Sequence, residues 1–79
     1  MTDLERLGQS LRARRQLLGL TQFEVAELAG TIQARISHIE RGAAGHIDIV
    51  AAVANVLGLR LAVVDHATGE AIDSEKRQP

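Results

Sequence analysis

The chain has 79 residues, no cysteine and a formal net charge of −1. This length allows one small domain, and the absence of cysteine excludes a disulfide framework and a cysteine-based zinc site. No apolar run approaches the length of a membrane span and no signal-peptide pattern is present, so we expect a cytoplasmic protein without a membrane partner.

The first predicted helix covers residues 3–18. Thr2-x-x-Glu5 is a capping box, in which the Thr hydroxyl and the Glu carboxylate each accept a free backbone N–H at the helix start. Gly19 then supplies a position where a positive φ is allowed and ends the helix. Leucines recur at helical spacing along it and predict an inward stripe: Leu4, Leu7, Leu11 and Leu18.

Residues 21–42 predict two short helices joined by a tight turn. A second capping box, Thr21-x-x-Glu24, begins a helix over 22–29, and Gly30 ends it. The next helix covers 33–40 and stops at Gly42. The spacing of a small residue, a turn glycine and two branched anchors is typical of two helices that cross closely: Ala26, Gly30, Ile36 and Ile39.

The spacing of the apolar residues changes from that of a helix to that of a strand towards the C-terminus. Asp48 is the predicted N-cap of a fourth helix that ends at Gly58 and turns Val50, Val53, Ala54 and Leu57 inward. In residues 59–64, the large apolar residues Leu59, Leu61 and Val63 fall at every second position, which predicts a strand. A single strand needs a partner, which is either residues 71–72 in a hairpin or the same strand of a second copy. The dimer is the favoured arrangement, with residues 1–65 as the domain and 66–79 as a disordered tail.

The outward face of the third helix is polar throughout. It carries hydrogen-bond donors at Gln33, Arg35, Ser37, His38 and Arg41, and a helix with such a face after a sharp turn is typical of proteins that read the major groove of DNA. The near-neutral total charge argues against a strongly basic nucleic-acid binder. However, residues 1–60 hold seven Arg against six acids, whereas residues 61–79 hold two bases against four acids. A purely solvated arginine face fits the charge pattern equally well.

Residues 10–59 resemble the XRE (Cro/repressor-type) helix-turn-helix proteins. The resemblance includes Arg15 ahead of Leu-Gly-Leu-Thr-Gln, the Ala26/Gly30 pair, Gln33, the run Ile36-Ser37-x-Ile39-Glu40 and the closing Leu-Gly-Leu. The following run GLRLAVVD is similar to HipB-type antitoxins, in which a terminal strand pairs across the dimer. The resemblance implies an all-α, four-to-five-helix lambda-repressor-like DNA-binding domain with one C-terminal strand. That strand would pair across a homodimer through Leu59, Leu61, Ala62, Val63 and Val64.

The resemblance also implies residue roles. Gln22 would bind a phosphate, Gln33 would read a base edge such as adenine, and Arg15 with Glu40 would form a structural salt bridge. The implied DNA-binding set is Gln22, Thr31, Ile32, Gln33, Ala34, Arg35, Ser37, His38 and Arg41. One departure concerns the N-cap of the third helix, where relatives carry Ser or Thr and this chain has Ile32. Either Thr31 caps that helix or the cap is missing.

Three functional hypotheses follow. The first is a dimeric repressor that binds a palindromic operator in double-stranded DNA and is also the antitoxin of a HipA-like kinase toxin. The second is the same DNA-binding regulator without a toxin, and the third is a helical module that binds only protein. No arrangement of residues indicates catalysis, and the spacing of the three histidines matches no metal motif, so we expect no enzyme, cofactor or metal.

Overall fold

The computed structural model describes residues 1–43 and 45–72 as four helices followed by a pair of very short strands. The elements are α1 (Asp3–Leu17), α2 (Gln22–Ala29), α3 (Gln33–Glu40), α4 (Ile47–Val56), β1 (Val63–Val64) and β2 (Ala71–Ile72). The predicted four-helix class is confirmed, and α2 and α3 have the predicted bounds. Among the described residues, no helix combines the length and the apolar character needed to cross a membrane.

Both predicted capping boxes form. The Thr2 hydroxyl accepts the Glu5 N–H while the Glu5 carboxylate accepts the Thr2 N–H, and Thr21 and Glu24 repeat this exchange at the start of α2. The predicted helix stops are confirmed as well. Each of the four glycines that follow a helix has a positive φ, namely Gly19, Gly30, Gly42 and Gly58.

The other two helices begin without a side-chain cap. The N-cap of α3 is Ile32, and no side chain caps this end, so the missing cap is the alternative that the structure favours over Thr31. The N-cap of α4 is His46, and the prediction of Asp48 was wrong. Asp48 lies within the first turn, where its carboxylate accepts the N–H of Ile49 and places negative charge near the positive end of the helix dipole.

The core lies between the four helices: α2 packs against α3 and α4, and α1 packs against α3. It consists of Leu11, Val25, Ala26, Ile36, Ile39, Val50, Val53, Ala54 and Leu57. The predicted stripe of α1 is only partly inward, because Leu11 is buried and Leu7 half-buried while Leu4 and Leu18 are exposed. The two exposed leucines stand at the two ends of α1, Leu4 in its first turn and Leu18 at its C-cap.

Gly8 lets α1 approach α3 closely. A Cβ at this position would overlap the carbonyl oxygen of Ile39 and would lie 2.7 Å from that of Glu40. Both obstacles are helix backbone, which cannot rotate away as a side chain can. Gly8 follows Leu4 and precedes Leu11 on the predicted stripe, so it marks the position where the two helix backbones meet.

The C-terminal strand differs from the favoured prediction. Only Val63 and Val64 are extended and paired, and their partners are Ile72 and Ala71 of the same chain in an antiparallel hairpin. Leu59 and Leu61 pack partly against the helical core, so they do not form a free strand face. The predicted domain boundary at residue 65 falls inside this hairpin, and residues 66–72 belong to it. The rest of the predicted tail, 73–79, lies outside the described residues.

The turn of the hairpin explains why it closes within the chain. The Asp65 carboxylate accepts the backbone N–H groups of Ala67 and Thr68, and the Gly69 N–H donates to the Asp65 carbonyl. These hydrogen bonds hold the pKa of Asp65 below its ordinary value. An aspartate that starts a turn in this way is a recognisable sequence pattern, and residues 65–69 carry it.

Gly8→Ala should destabilise the domain by about 2 kcal/mol, because the clash with the α3 backbone outweighs the better helix propensity of alanine. Urea unfolding followed by circular dichroism would measure the change. Gly45→Ala is the matched control: its Cβ would meet only the Ile39 side chain at an ordinary 3.7 Å. Equal stability of the Gly8 variant and the natural protein would contradict the close packing described here.

Candidate nucleic-acid interface

The turn between α2 and α3 is built by Gly30. Its φ of 72° and ψ of 34° lie in the left-handed region, and the next N–H, that of Thr31, donates to the Ala26 carbonyl at 2.9 Å. A Cβ at Gly30 would meet nothing within 4 Å, so the requirement for glycine here is conformational rather than steric. Ala26 is buried where the two helices cross, and its small side chain lets α3 lie close across α2.

The two sides of α3 have different roles. Ile36, Ile39 and Glu40 are buried and attach the helix to the rest of the domain. The opposite side is exposed and carries most of the predicted DNA-binding residues: Ile32, Gln33, Ala34, Arg35, His38 and, just after the helix, Arg41. Thr31 and Ser37 are only half-buried, so they stand at the border between the two sides. The structure thus presents one continuous surface along the outer side of α3.

The ion pair between Arg15 and Glu40 lies beneath this surface. Arg15 Nε donates to Glu40 Oε2 at 2.6 Å and Nη2 donates to Oε1 at 3.0 Å, which is the bidentate geometry of a strong guanidinium–carboxylate pair. The exposed fraction of the Glu40 side chain is 5% and that of Arg15 is 12%. The hydrogen bonds and charge of Glu40 raise the pKa of Arg15 above its ordinary value. Arg15 Nη1 also donates to the Leu20 carbonyl at 2.9 Å, so the pair joins α1, α3 and the loop before α2.

Two glutamines extend this ion pair to the surface. Gln22 Nε2 donates to Glu40 Oε1 at 3.1 Å, and Gln33 Nε2 donates to Gln22 Oε1 at 3.4 Å. Gln22 is half-buried and begins α2, where its backbone N–H has no partner within the helix. The sequence placed Gln22 and Gln33 as separate predicted DNA contacts. It did not reveal that they touch, because the contact depends on how α2 and α3 cross.

A groove of about 340 Å³ runs beside the exposed side of α3. One wall consists of Ile32, Ala34, Arg35 and His38, and the opposite wall of Gly45, His46 and Ile49 at the start of α4. His46 is not among the predicted binding residues, because it stands in a loop with no motif around it. Among the described residues, no three His, Cys, Asp or Glu side chains gather at metal-binding distance.

Residues 6–67 match the family described as the helix-turn-helix domain. The chain belongs to the helix-turn-helix family. The match covers α1 from residue 6 onward, the other three helices and the first strand of the hairpin, so it includes every residue of the predicted DNA-binding surface. The broader resemblance is thereby confirmed, whereas the narrower similarity to HipB-type antitoxins stays a prediction.

A solved structure supports the same assignment. The chain is similar to the clp gene regulator ClgR from Corynebacterium glutamicum, with 33% sequence identity and a TM-score of 0.65. The similarity covers 71% of this chain and 61% of that one, so this helix-turn-helix chain spans about three fifths of the length of that regulator. No curated protein sequence is significantly similar to the chain.

Arg15→Met should lower the free energy of unfolding by about 3 kcal/mol, because it leaves the Glu40 carboxylate buried without its charged partner. Chemical unfolding of this variant, of Glu40→Leu and of the double variant would measure the coupling between the two residues. We expect the double variant to be more stable than Arg15→Met, since no buried charge then lacks a partner. Strictly additive losses would show that the two side chains do not depend on each other.

Proposed function

We propose that this helix-turn-helix protein is a sequence-specific transcriptional repressor that binds double-stranded DNA through the exposed side of α3. The observation that carries the proposal is the arrangement of this helix. Its inner side is anchored by Ile36, Ile39 and Glu40, while its outer side presents free donors and small apolar groups. A helix of this kind fits the major groove, where base pairs differ in their donors, acceptors and methyl groups.

The roles of individual residues follow from their positions on α3. Gln33, in the first turn, reads a base edge, and adenine suits it because its amide can donate to N7 while accepting from N6. Ile32 and Ala34 offer apolar contact to a thymine methyl group. The exposed Arg35 and Arg41 lie at the two ends of the same surface and contact phosphates or guanine. The similarity to a protein described as a gene regulator favours transcription control over other uses of DNA binding.

Gln33→Ala should weaken binding to the preferred DNA by about 1–3 kcal/mol and should barely change binding to a scrambled duplex. Fluorescence anisotropy with DNA from upstream of the protein's own reading frame, at two salt concentrations, would measure both affinities. Gln9→Ala removes the same amide from an exposed position on α1 and is the matched control. An equal loss on both duplexes would rule out base reading by Gln33.

The proposed repressor acts as a homodimer on a palindromic operator in its own promoter. The hairpin and the first turns of α1 and α4 enclose a surface groove of about 1100 Å³. Exposed apolar side chains gather there, namely Ile47, Val63, Val64 and Ile72. Pairing through this surface takes the place of the predicted pairing through all of 59–64, because Leu59 and Leu61 already contact their own core. On such an operator the two α3 helices would lie about 34 Å apart, which is one turn of DNA.

Val63→Lys should disrupt the proposed dimer, because it puts a charge into the apolar hairpin surface of both copies. Sedimentation velocity at micromolar concentration would detect the shift from dimer to monomer. Leu17→Lys makes the same change at the exposed C-terminal end of α1, away from the hairpin, and should leave the mass unchanged. A dimer that survives Val63→Lys would exclude this interface.

The antitoxin role remains a prediction that rests on the similarity of GLRLAVVD to HipB-type proteins. A HipA-like kinase encoded beside this protein, and its co-purification with it, would support that role. A protein-only module is the less favoured alternative, because the exposed side of α3 carries donors rather than the aromatic or aliphatic anchors that protein interfaces use. As a protein that binds chromosomal DNA, the repressor would act in the cytoplasm.

A further inference from the structure

The Glu40 carboxylate has two different sets of neighbours. Its Oε2 accepts from Arg15, whereas its Oε1 accepts both from Arg15 and from Gln22. The carboxylate is almost fully buried, so water does not compete for these positions. The ion pair that anchors α3 therefore also holds a side chain at the edge of the exposed surface.

The chemistry of the carboxylate determines how the Gln22 amide is turned. An ionised carboxylate only accepts hydrogen bonds, so Gln22 must direct its NH₂ group towards Glu40. Its oxygen then points the other way, towards Gln33. Gln33 must in turn offer an N–H to that oxygen, and the observed 3.4 Å contact runs in this direction. The remaining N–H and the oxygen of Gln33 are left to face outward.

This orientation suits one base better than the others. The outward N–H of Gln33 can donate to N7 of adenine, while its outward oxygen accepts from the N6 amino group. Guanine presents two acceptors, N7 and O6, in the same place, and the outward oxygen of Gln33 would meet O6 unfavourably. A glutamine that was free to flip its amide would not make this distinction, since it could turn its NH₂ group to either acceptor.

We propose that Glu40 is a positioning residue for base specificity, which acts through Gln22 to hold the Gln33 amide in the orientation that selects adenine. The inference rests on the proposed function, because it assigns a cause to the base preference of a DNA-binding surface. It adds a role to Glu40 beyond the structural salt bridge. Glu40 does not touch DNA; it sets which atoms of Gln33 do.

The decisive variant is Glu40→Gln. The new amide has one acceptor in place of two, and its NH₂ group meets an Arg15 N–H in either orientation, so neither orientation is imposed. Gln22 is then no longer held one way, and Gln33 is free to reverse and turn both N–H groups to the base. We expect the preference for adenine over guanine at the contacted base pair to fall by about tenfold.

Two further variants separate positioning from stability. Arg15→Lys weakens the bidentate ion pair and lowers stability, but it leaves Glu40 to orient Gln22, so the base preference should not change. Gln22→Ala breaks the chain of hydrogen bonds without touching the ion pair, so the preference for adenine should relax in a stable protein. Adding Glu40→Gln to Gln22→Ala should then change the preference no further.

The experiment is a selection from duplexes with a randomised core, using the full chain, followed by affinity measurements on duplexes that differ at one base pair. Gln33→Ala identifies the base pair concerned, and thermal unfolding of each variant confirms that binding is measured on folded protein. If Glu40→Gln does not fold, an unchanged base preference in Gln22→Ala still overturns the proposal, because Glu40 acts through Gln22.

The outcomes distinguish the two proposals. If the natural protein selects no sequence, the proposed function fails. If it selects a sequence but Gln22→Ala and Glu40→Gln keep the natural preference, the function stands and the positioning role of Glu40 is overturned. A preference that changes in these two variants and not in Arg15→Lys would establish it.

Discussion

The buried pair of Arg15 and Glu40 is the interaction on which most of the described structure depends. Three elements meet there: α1 through Arg15, α3 through Glu40, and the loop before α2 through the Leu20 carbonyl that Arg15 also binds. Aliphatic packing alone would leave α3, with only eight residues, free to slide or rotate on its neighbours. The directional hydrogen bonds between the Glu40 carboxylate and the planar Arg15 guanidinium allow only one orientation of α3 on its neighbours. The exposed side of α3 is therefore held in one position as well.

Close backbone contact is the second condition for this arrangement. Gly8 brings α1 against the last turn of α3, and the buried Ala26 is a second small residue on α2, which also packs against α3. The large apolar side chains fill the space between α2, α3 and α4 instead. The exposed side of α3 thus has a defined position, although the buried core of the described residues contains no aromatic side chain.

Local signals made the helical part of the fold predictable. The capping boxes at Thr2 and Thr21 indicate where two helices begin, and the glycines after each helix indicate where the helices end. Both signals depend only on residues that are neighbours in sequence. The start of α4 was misplaced because Asp48 is equally suited to a cap and to a first turn. The hairpin was the less favoured of the two predicted arrangements, because its stability comes from an aspartate-led turn rather than from strand length. Contacts between helices, such as that of Gln22 with Gln33, cannot be predicted from the spacing of residues in the sequence, because they depend on how α2 and α3 cross.

The hairpin also divides the molecule into parts of unequal stability. Each strand has two residues, all four are exposed, and the sheet contributes nothing to the buried core. Such a sheet opens by local fluctuation long before the helices separate. Backbone amides in residues 63–72 will therefore exchange with solvent on their own timescale, independently of global unfolding. A surface with this freedom can change its shape when a second molecule binds, while α3 keeps the geometry that its buried ion pair imposes.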